Sequence, residues 1–293
     1  MLGVVRLLKD TTLYLAKVDT KSRARFFLLR ALFYPREIAR WVAFIGDYAR
    51  TLGLFEIPSY VLRKPVRSYA AYGLSIRKRV AMAMSHHLIM RDAAPSYILQ
   101  QLFRGDAIVL SALQGRKCAY GLRAIMAHET YREGEIAFLL SDASGDLAKI
   151  TMLVFETSQG ERALLIGGLQ GPRGDDAKQR VIFSTRDLFG MRPKQLVFEA
   201  AKEFAHLLGC ETLFAVSNAR HVSIQADRLA DKLHIRADYD VFWNERGLEI
   251  DPIYGFRLNL AKFPARDSVA VSKKDHLRQQ LQVAVLKLVA HPH

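Results

Sequence analysis

From about residue 106 the chain changes its hydrophobic period, and that change constrains the fold more than any other feature. CAYGLRAIM, EIAFLLS, KITMLVFET and RALLIGG each have the length and the β-branched or alternating make-up of a strand. SDASGD and SQGE place turn residues between three of them. Strands joined by turns this short are antiparallel neighbours, so a meander is expected. The first hundred residues behave differently, alternating apolar and basic positions at helical spacing with breaks at Pro35, Pro58, Pro65 and Gly73. The best-defined helix is capped by Ser75 and runs through IRKRVAMAMSHHLIM. Val80, Ala83, Met84 and Leu88 share one face with His87, which is expected to be buried, and His86 points the other way. Residues 28 to 55 mix Arg36, Arg40 and Arg50 with Phe33, Trp41, Phe44 and Ile45. Packing on the protein's own core is expected there, ahead of an interfacial position on a bilayer.

After the meander the signals point to a helix with Pro193 in its first turn and Gly209 at its end. Leu196, Val197, Ala200, Ala201, Phe204, Leu207 and Leu208 form its apolar stripe, with Glu199, Lys202, Glu203 and His206 opposite. ETLFAVSN reads as a strand whose Asn218 caps a helix from near Ala219, with Val222, Ala226, Leu229, Ala230 and Leu233 inward. Further strands are expected around ADYDVFW and YGFRLNLA, then a closing amphipathic helix, DHLRQQLQVAVLKLVA. The expected fold class is α+β, a mixed but mostly antiparallel sheet with flanking helices. The expected division is a basic helical region at 1–105, an α+β core at 106–265 and a C-terminal amphipathic helix at 266–293.

Half of the 293 residues are hydrophobic and a quarter charged, the make-up of a folded chain. No apolar stretch reaches the ~18 residues of a membrane span, and Lys9 and Asp10 interrupt the place of a signal peptide's apolar segment. A cytoplasmic location is expected, with the inner membrane surface as a peripheral alternative. Cys118 and Cys210 lack CxxC partners and read as reduced, buried thiols. The net charge of +14 is concentrated: residues 1 to 104 carry 18 Lys and Arg against 6 Asp and Glu. Such a surface meets anions, here an acyl carrier, tRNA or anionic lipid.

EGEIAFLL at 133–140, IGGLQG at 166–171, TRDLFGMRPK at 185–194, SNARH at 217–221 and ADYDVFW at 237–243 resemble, in order, the signature blocks of the VirK/YbjX family. That resemblance implies a role in virulence and antimicrobial-peptide resistance and supplies no reaction. A second, more distant resemblance lies in topology: meander, strand, Gly-bearing loop, helix, strand, helix is similar to the GNAT acyltransferase fold. In that fold two neighbouring strands splay apart, and loop amides at a helix N-terminus hold an anionic donor. The resemblance implies a loop lined by Gln170, Gly171, Arg173 and Gly174. Arg173 and Asp175 stand where a coenzyme A loop has small residues, so acyl carrier protein and aminoacyl-tRNA are expected donors beside acyl-CoA.

Acyl transfer needs a base for the attacking amine or hydroxyl. Glu133 and Glu135 stand at the start of a strand with the same facing by period-two alternation. His221 is placed in the first turn of the helix after Asn218, where an imidazole stays neutral. Asp238, Tyr239 and Asp240 form a third polar group before Phe242 and Trp243. The leading expectation is an acyl- or aminoacyltransferase acting on a peptide, lipid or envelope component. A non-enzymatic accessory factor at the membrane is the first alternative. The second is an iron- or manganese-dependent peptide-modifying enzyme using His87, His221, Asp238 and Asp240, although no metal-ligand spacing marks a site.

Overall fold

A computed structural model describes residues 2–223, 238–262 and 272–289. Six helices come first: α1 (Leu2–Val18), α2 (Lys21–Phe33), α3 (Pro35–Thr51), α4 (Ser59–Arg63), α5 (Ile76–Ala93) and α6 (Ser96–Arg104). Local signals place their ends. The Thr20 side chain caps α2, Pro35 opens α3, the Ser75 hydroxyl accepts from the Lys78 N–H at the start of α5, and Gly105 closes α6 with a left-handed φ of 90°.

The meander follows as β1 (Ile108–Gln114), β2 (Ala119–Met126), β3 (Ile136–Asp142), β4 (Gly145–Glu156) and β5 (Arg162–Gln170). Two helices, α7 (Ala177–Asp187) and α8 (Pro193–Leu207), lead to β6 (Thr212–Val216). A short helix α9 (Tyr239–Asn244), β7 (Glu249–Asp251), β8 (Gly255–Asn259) and α10 (Lys273–Leu286) complete the described chain. The eight strands form one sheet in the order β1-β2-β3-β4-β5-β6-β8-β7, in which β5 and β6 alone are parallel neighbours. The protein is thus α+β with a mixed, mostly antiparallel sheet. Residues 150 to 155 of β4 are buried without alternation because the central strand is covered on both faces, by α5 and by α8.

Four expectations are corrected. His86 is buried, not solvent-facing: β4 runs past the end of β3, and the free N–H groups of Val154 and Glu156 donate to His86 Nδ1 and Ser85 Oγ. Leu88, expected on the buried face, is exposed. ADYDVFW holds α9, not a strand, because the Asp238 carboxylate accepts from the Asp240 and Val241 N–H groups and starts a helix. After Asn218 there is a 3₁₀ turn (Asn218–Arg220); Ala226, Leu229, Ala230 and Leu233 of the expected helix lie outside the described residues. The stretch from 28 to 55 divides at Pro35. In α3, Ile38, Trp41, Ile45 and Tyr48 are buried, whereas Leu32 and Phe33 at the end of α2 are each 71% exposed.

Helix α7 was not signalled, since only Ser184 and Asp187 of it are buried. Its anchor is polar. The Asp187 carboxylate accepts from the Lys117 and Cys118 N–H groups and the Tyr120 hydroxyl, clamping the β1–β2 turn. Both cysteines are unbonded, and burial pushes the Cys210 thiol up to about 12.

Candidate functional site

Strands β5 and β6 stay paired only from Ala163–Thr212 to Ile166–Ala215, while β5 continues beside β4 to Gln170. Backbone groups on that side of Gly167 to Gln170 therefore need other partners. The Leu169 N–H finds one in the Tyr239 hydroxyl at 3.3 Å. Gly167 and Gly168 let another segment come unusually close. A Cβ on Gly167 would lie 1.9 Å from the Glu133 carbonyl oxygen, and one on Gly168 would lie 1.9 Å from the Glu133 carboxylate. The glycine pair inside a strand is thus the mark of close approach and not of a turn.

Glu133 is 8% exposed and meets two further groups there. Gln170 Nε2 donates to its Oε1 at 3.3 Å, and His221 Nε2 lies 3.4 Å from the same oxygen, out of line for a hydrogen bond. His221 Nδ1 sits 2.6 Å from the Ser223 hydroxyl and accepts from the Ser223 N–H, which puts the ring proton on Nε2, facing Glu133. The Tyr239 ring packs 5.3 Å from the imidazole. The structure therefore brings together Glu133, Gln170, His221 and Tyr239 of the residues singled out by sequence, and adds Gly167, Gly168 and Ser223. His221 is not in the first turn of an α-helix: it follows the 3₁₀ turn in extended conformation.

Glu135 belongs elsewhere. It is 2% exposed, takes a hydrogen bond from Lys64 Nζ on Oε2 and one from the Tyr69 hydroxyl on Oε1, each at 2.5 Å, and has His87 Nε2 3.7 Å away. Lys64 is wholly buried. His87 is enclosed by the rings of Trp41, Tyr48 and Phe103, and burial followed by the Lys64 charge lowers its pKa to about 3. Burial and then the neighbouring His87 do the same to His86, again to about 3. The expected common facing of Glu133 and Glu135 fails because Glu133 lies in a turn closed by its N–H to the Thr130 carbonyl, whereas the Glu135 N–H already donates across to Met152 of β4.

Asp238 and Asp240 have partners within the chain. Asp238 caps α9 and accepts from the Asn218 side chain, hydrogen bonds that hold its carboxyl below the usual range, and Asp240 accepts the Asn218 N–H. No three His, Cys, Asp or Glu side chains converge on a metal position among the described residues, and His87 and His221 sit in separate clusters. The iron or manganese reading is dropped on that geometry.

The loop after Gln170 is open on two sides. Gly171 and Pro172 border a cleft of about 380 Å³ with Arg192, Lys194 and Phe242. With Gln170 and Arg173 they also border one of about 260 Å³ that Lys149 and Arg180 line. Gly174, at a φ of 100°, ends the loop three residues before α7, so a helix does follow it directly.

These features define an α+β protein with a carboxylate–imidazole pair set where two parallel strands part. The chain belongs to the family described as protein of unknown function (DUF535), whose model matches residues 16–283. It is 30% identical over 241 residues to the uncharacterized protein YbjX of Escherichia coli, covering 81% of this chain and 72% of that one, which bears out the VirK/YbjX resemblance. An uncharacterized protein of Haemophilus influenzae is 23% identical over 229 residues, 78% of this chain and 74% of its own.

Proposed function

We propose that the protein is an acyl- or aminoacyltransferase whose chemistry is carried out by Glu133 and His221. The observation that carries this reading is their 3.4 Å approach in the gap where β5 leaves β6. A carboxylate next to an imidazole with a fixed tautomer can take the proton of an attacking amine or hydroxyl. Gln170 holds the carboxylate from one side. The cleft that Gln170 borders carries Arg173 together with Lys149, paired with Glu129, and Arg180, paired with Asp142, so among the described residues there Arg173 is the cation left for an anionic donor. Acyl-CoA, acyl carrier protein and aminoacyl-tRNA are the donor classes, with a peptide, lipid or envelope component as acceptor.

The test is thermal stabilisation by each donor. A ligand at a hundred times its dissociation constant adds ~2.7 kcal/mol. For the donor that stabilises, Glu133→Gln is expected to lower single-turnover transfer at least ~100-fold, the usual worth of a positioned base. Absence of stabilisation by all three donors ends the proposal.

A second reading has its own support. Leu28, Leu29, Leu32 and Phe33 are exposed on α2 beside Lys21, Arg23 and Arg25, the pattern of a helix that lies in a membrane interface. No helix among the described residues is long and apolar enough to cross a membrane. Flotation with anionic liposomes, lost in high salt and in Leu32→Glu, would support a peripheral membrane role; no flotation at low salt would end it.

A further inference from the structure

Beside Glu133 the described chain gathers four arginines, and Glu133 is the one carboxylate that acts on any of them, on Arg132. Arg30 and Arg67 both lie over the Phe26 ring, their guanidinium carbons 5.5 and 5.0 Å from its centroid. Arg79, near the start of α5, is only 9% exposed, and its Nε is buried without a hydrogen-bond partner. Apart from the Tyr34 phenol, the charged groups acting on Arg79 are Arg30 and Arg132, and burial and then Arg30 pull its pKa down to about 10. Burial and then Arg67 lower the pKa of Arg132, against the opposing pull of the Tyr131 phenol and the Glu133 carboxylate. Arg132 is held by backbone alone, Nε donating to the Ser68 carbonyl and Nη2 to that of Val222. Among the described residues none of these four arginines forms an ion pair with a carboxylate.

An unpaired buried charge is expensive, so Arg79, buried with Arg30 and Arg132 acting on it, calls for a counter-charge from outside the chain. Guanidinium forks match tetrahedral oxyanions, and several forks match one that carries more than one negative charge. The support is stiff: the Ala70 N–H donates to the Arg132 carbonyl, and Ala70, at a φ of 63°, closes a γ-turn between Tyr69 and Ala71.

We propose that Arg30, Arg67, Arg79 and Arg132 form a binding site for the phosphate monoester or pyrophosphate group of a ligand. The site adjoins Glu133 through its sequence neighbour Arg132. It stands whether or not Glu133 and His221 catalyse a transfer, because it rests on binding alone.

The experiment is isothermal titration of the full chain with inorganic pyrophosphate, glycerol 3-phosphate and adenosine 3′,5′-bisphosphate, against sodium chloride at equal ionic strength. At least one is expected to bind saturably. Tighter binding of glycerol 3-phosphate assigns the group to a lipid-type headgroup, and tighter binding of the bisphosphate to a nucleotide. Arg67→Ala, at an exposed position, is expected to weaken binding at least fivefold with an unchanged melting temperature. Arg79→Met is expected to weaken it at least tenfold, equivalent to 1.4 kcal/mol, while the ligand-free melting temperature holds or rises because an unpaired charge has gone. Binding no stronger than the salt control for all three probes, or affinities unchanged in both variants, would overturn the proposal.

Discussion

Glu133 and Glu135 stand two residues apart, yet the fold treats them as opposites. Glu135 is sealed with Lys64 and Tyr69 in hydrogen bonds of 2.5 Å, its oxygens already occupied by donors of the chain. Glu133 faces a histidine it does not hydrogen-bond, beside the part of β5 that no longer pairs with β6. Glu135 takes hydrogen bonds from two side chains, Lys64 and Tyr69, and locks the entry to β3, whereas among the described residues Gln170 is the one side chain that donates to Glu133. Burial alone does not separate the two, since both carboxylates are more than nine-tenths buried. Completeness of the partner set does.

The comparison can be broken most forcefully at Glu135. Glu135→Ala is expected to cost about 3–5 kcal/mol in chemical denaturation, because Lys64 is left buried and unpaired. The double change Lys64→Met with Glu135→Leu should recover most of that loss; if it does not, the pair has a role beyond its own neutralisation. Acid comes next. His86 and His87 hold off protonation to about 3 in the folded state, while the unfolded chain takes those protons near 6.5. Between these values the unfolded state binds more protons, so stability is full above about 6.5 and falls as pH drops toward 3. Each histidine contributes up to ~1.4 kcal/mol per pH unit. His87→Phe, which also removes a buried nitrogen without a partner, should flatten that slope by one proton.

The glycine pair sharpens the contrast on the Glu133 side. Gly167→Ala drives a methyl into the backbone carbonyl of Glu133 and is expected to cost about 1–3 kcal/mol. Gly168→Ala meets only the carboxylate end, which can swing away, so stability should fall by less than about 1 kcal/mol while the His221 contact is lost. Glu133→Gln is the mildest change. It keeps an acceptor for Gln170, and an unfolding free energy within about 1 kcal/mol of the parent is expected. A larger loss would place Glu133 with Glu135 among the structural carboxylates.

Much of the fold was legible because its signals are local. Ser75 as a cap, Pro35 as a break, Pro193 in a first turn, Gly209 as a stop and the four strand runs depend on residues within a few positions of one another. Errors arose where a distant group satisfied the backbone. His86 looked solvent-facing until β4 was seen to extend past β3 and offer it an N–H. ADYDVFW, expected as a strand, forms α9 because its Asp238 cap and the Asn218 side chain that accepts the Tyr239 N–H set the conformation. Helix α7 carries almost no apolar stripe and is tied down by the Asp187 clamp on a turn some 70 positions earlier in the chain.

The site divides in the same way. Residue type and order alone marked Glu133, Gln170, His221 and Tyr239 as candidates and tied the chain to its family. That Glu133 pairs with His221 while Glu135 pairs with Lys64, and that Arg79 is buried among like charges, was decided only in three dimensions. Hydrogen-bond and charge partners separated by tens of residues leave no period in the sequence, and the energy of a buried polar group depends on which partners it meets.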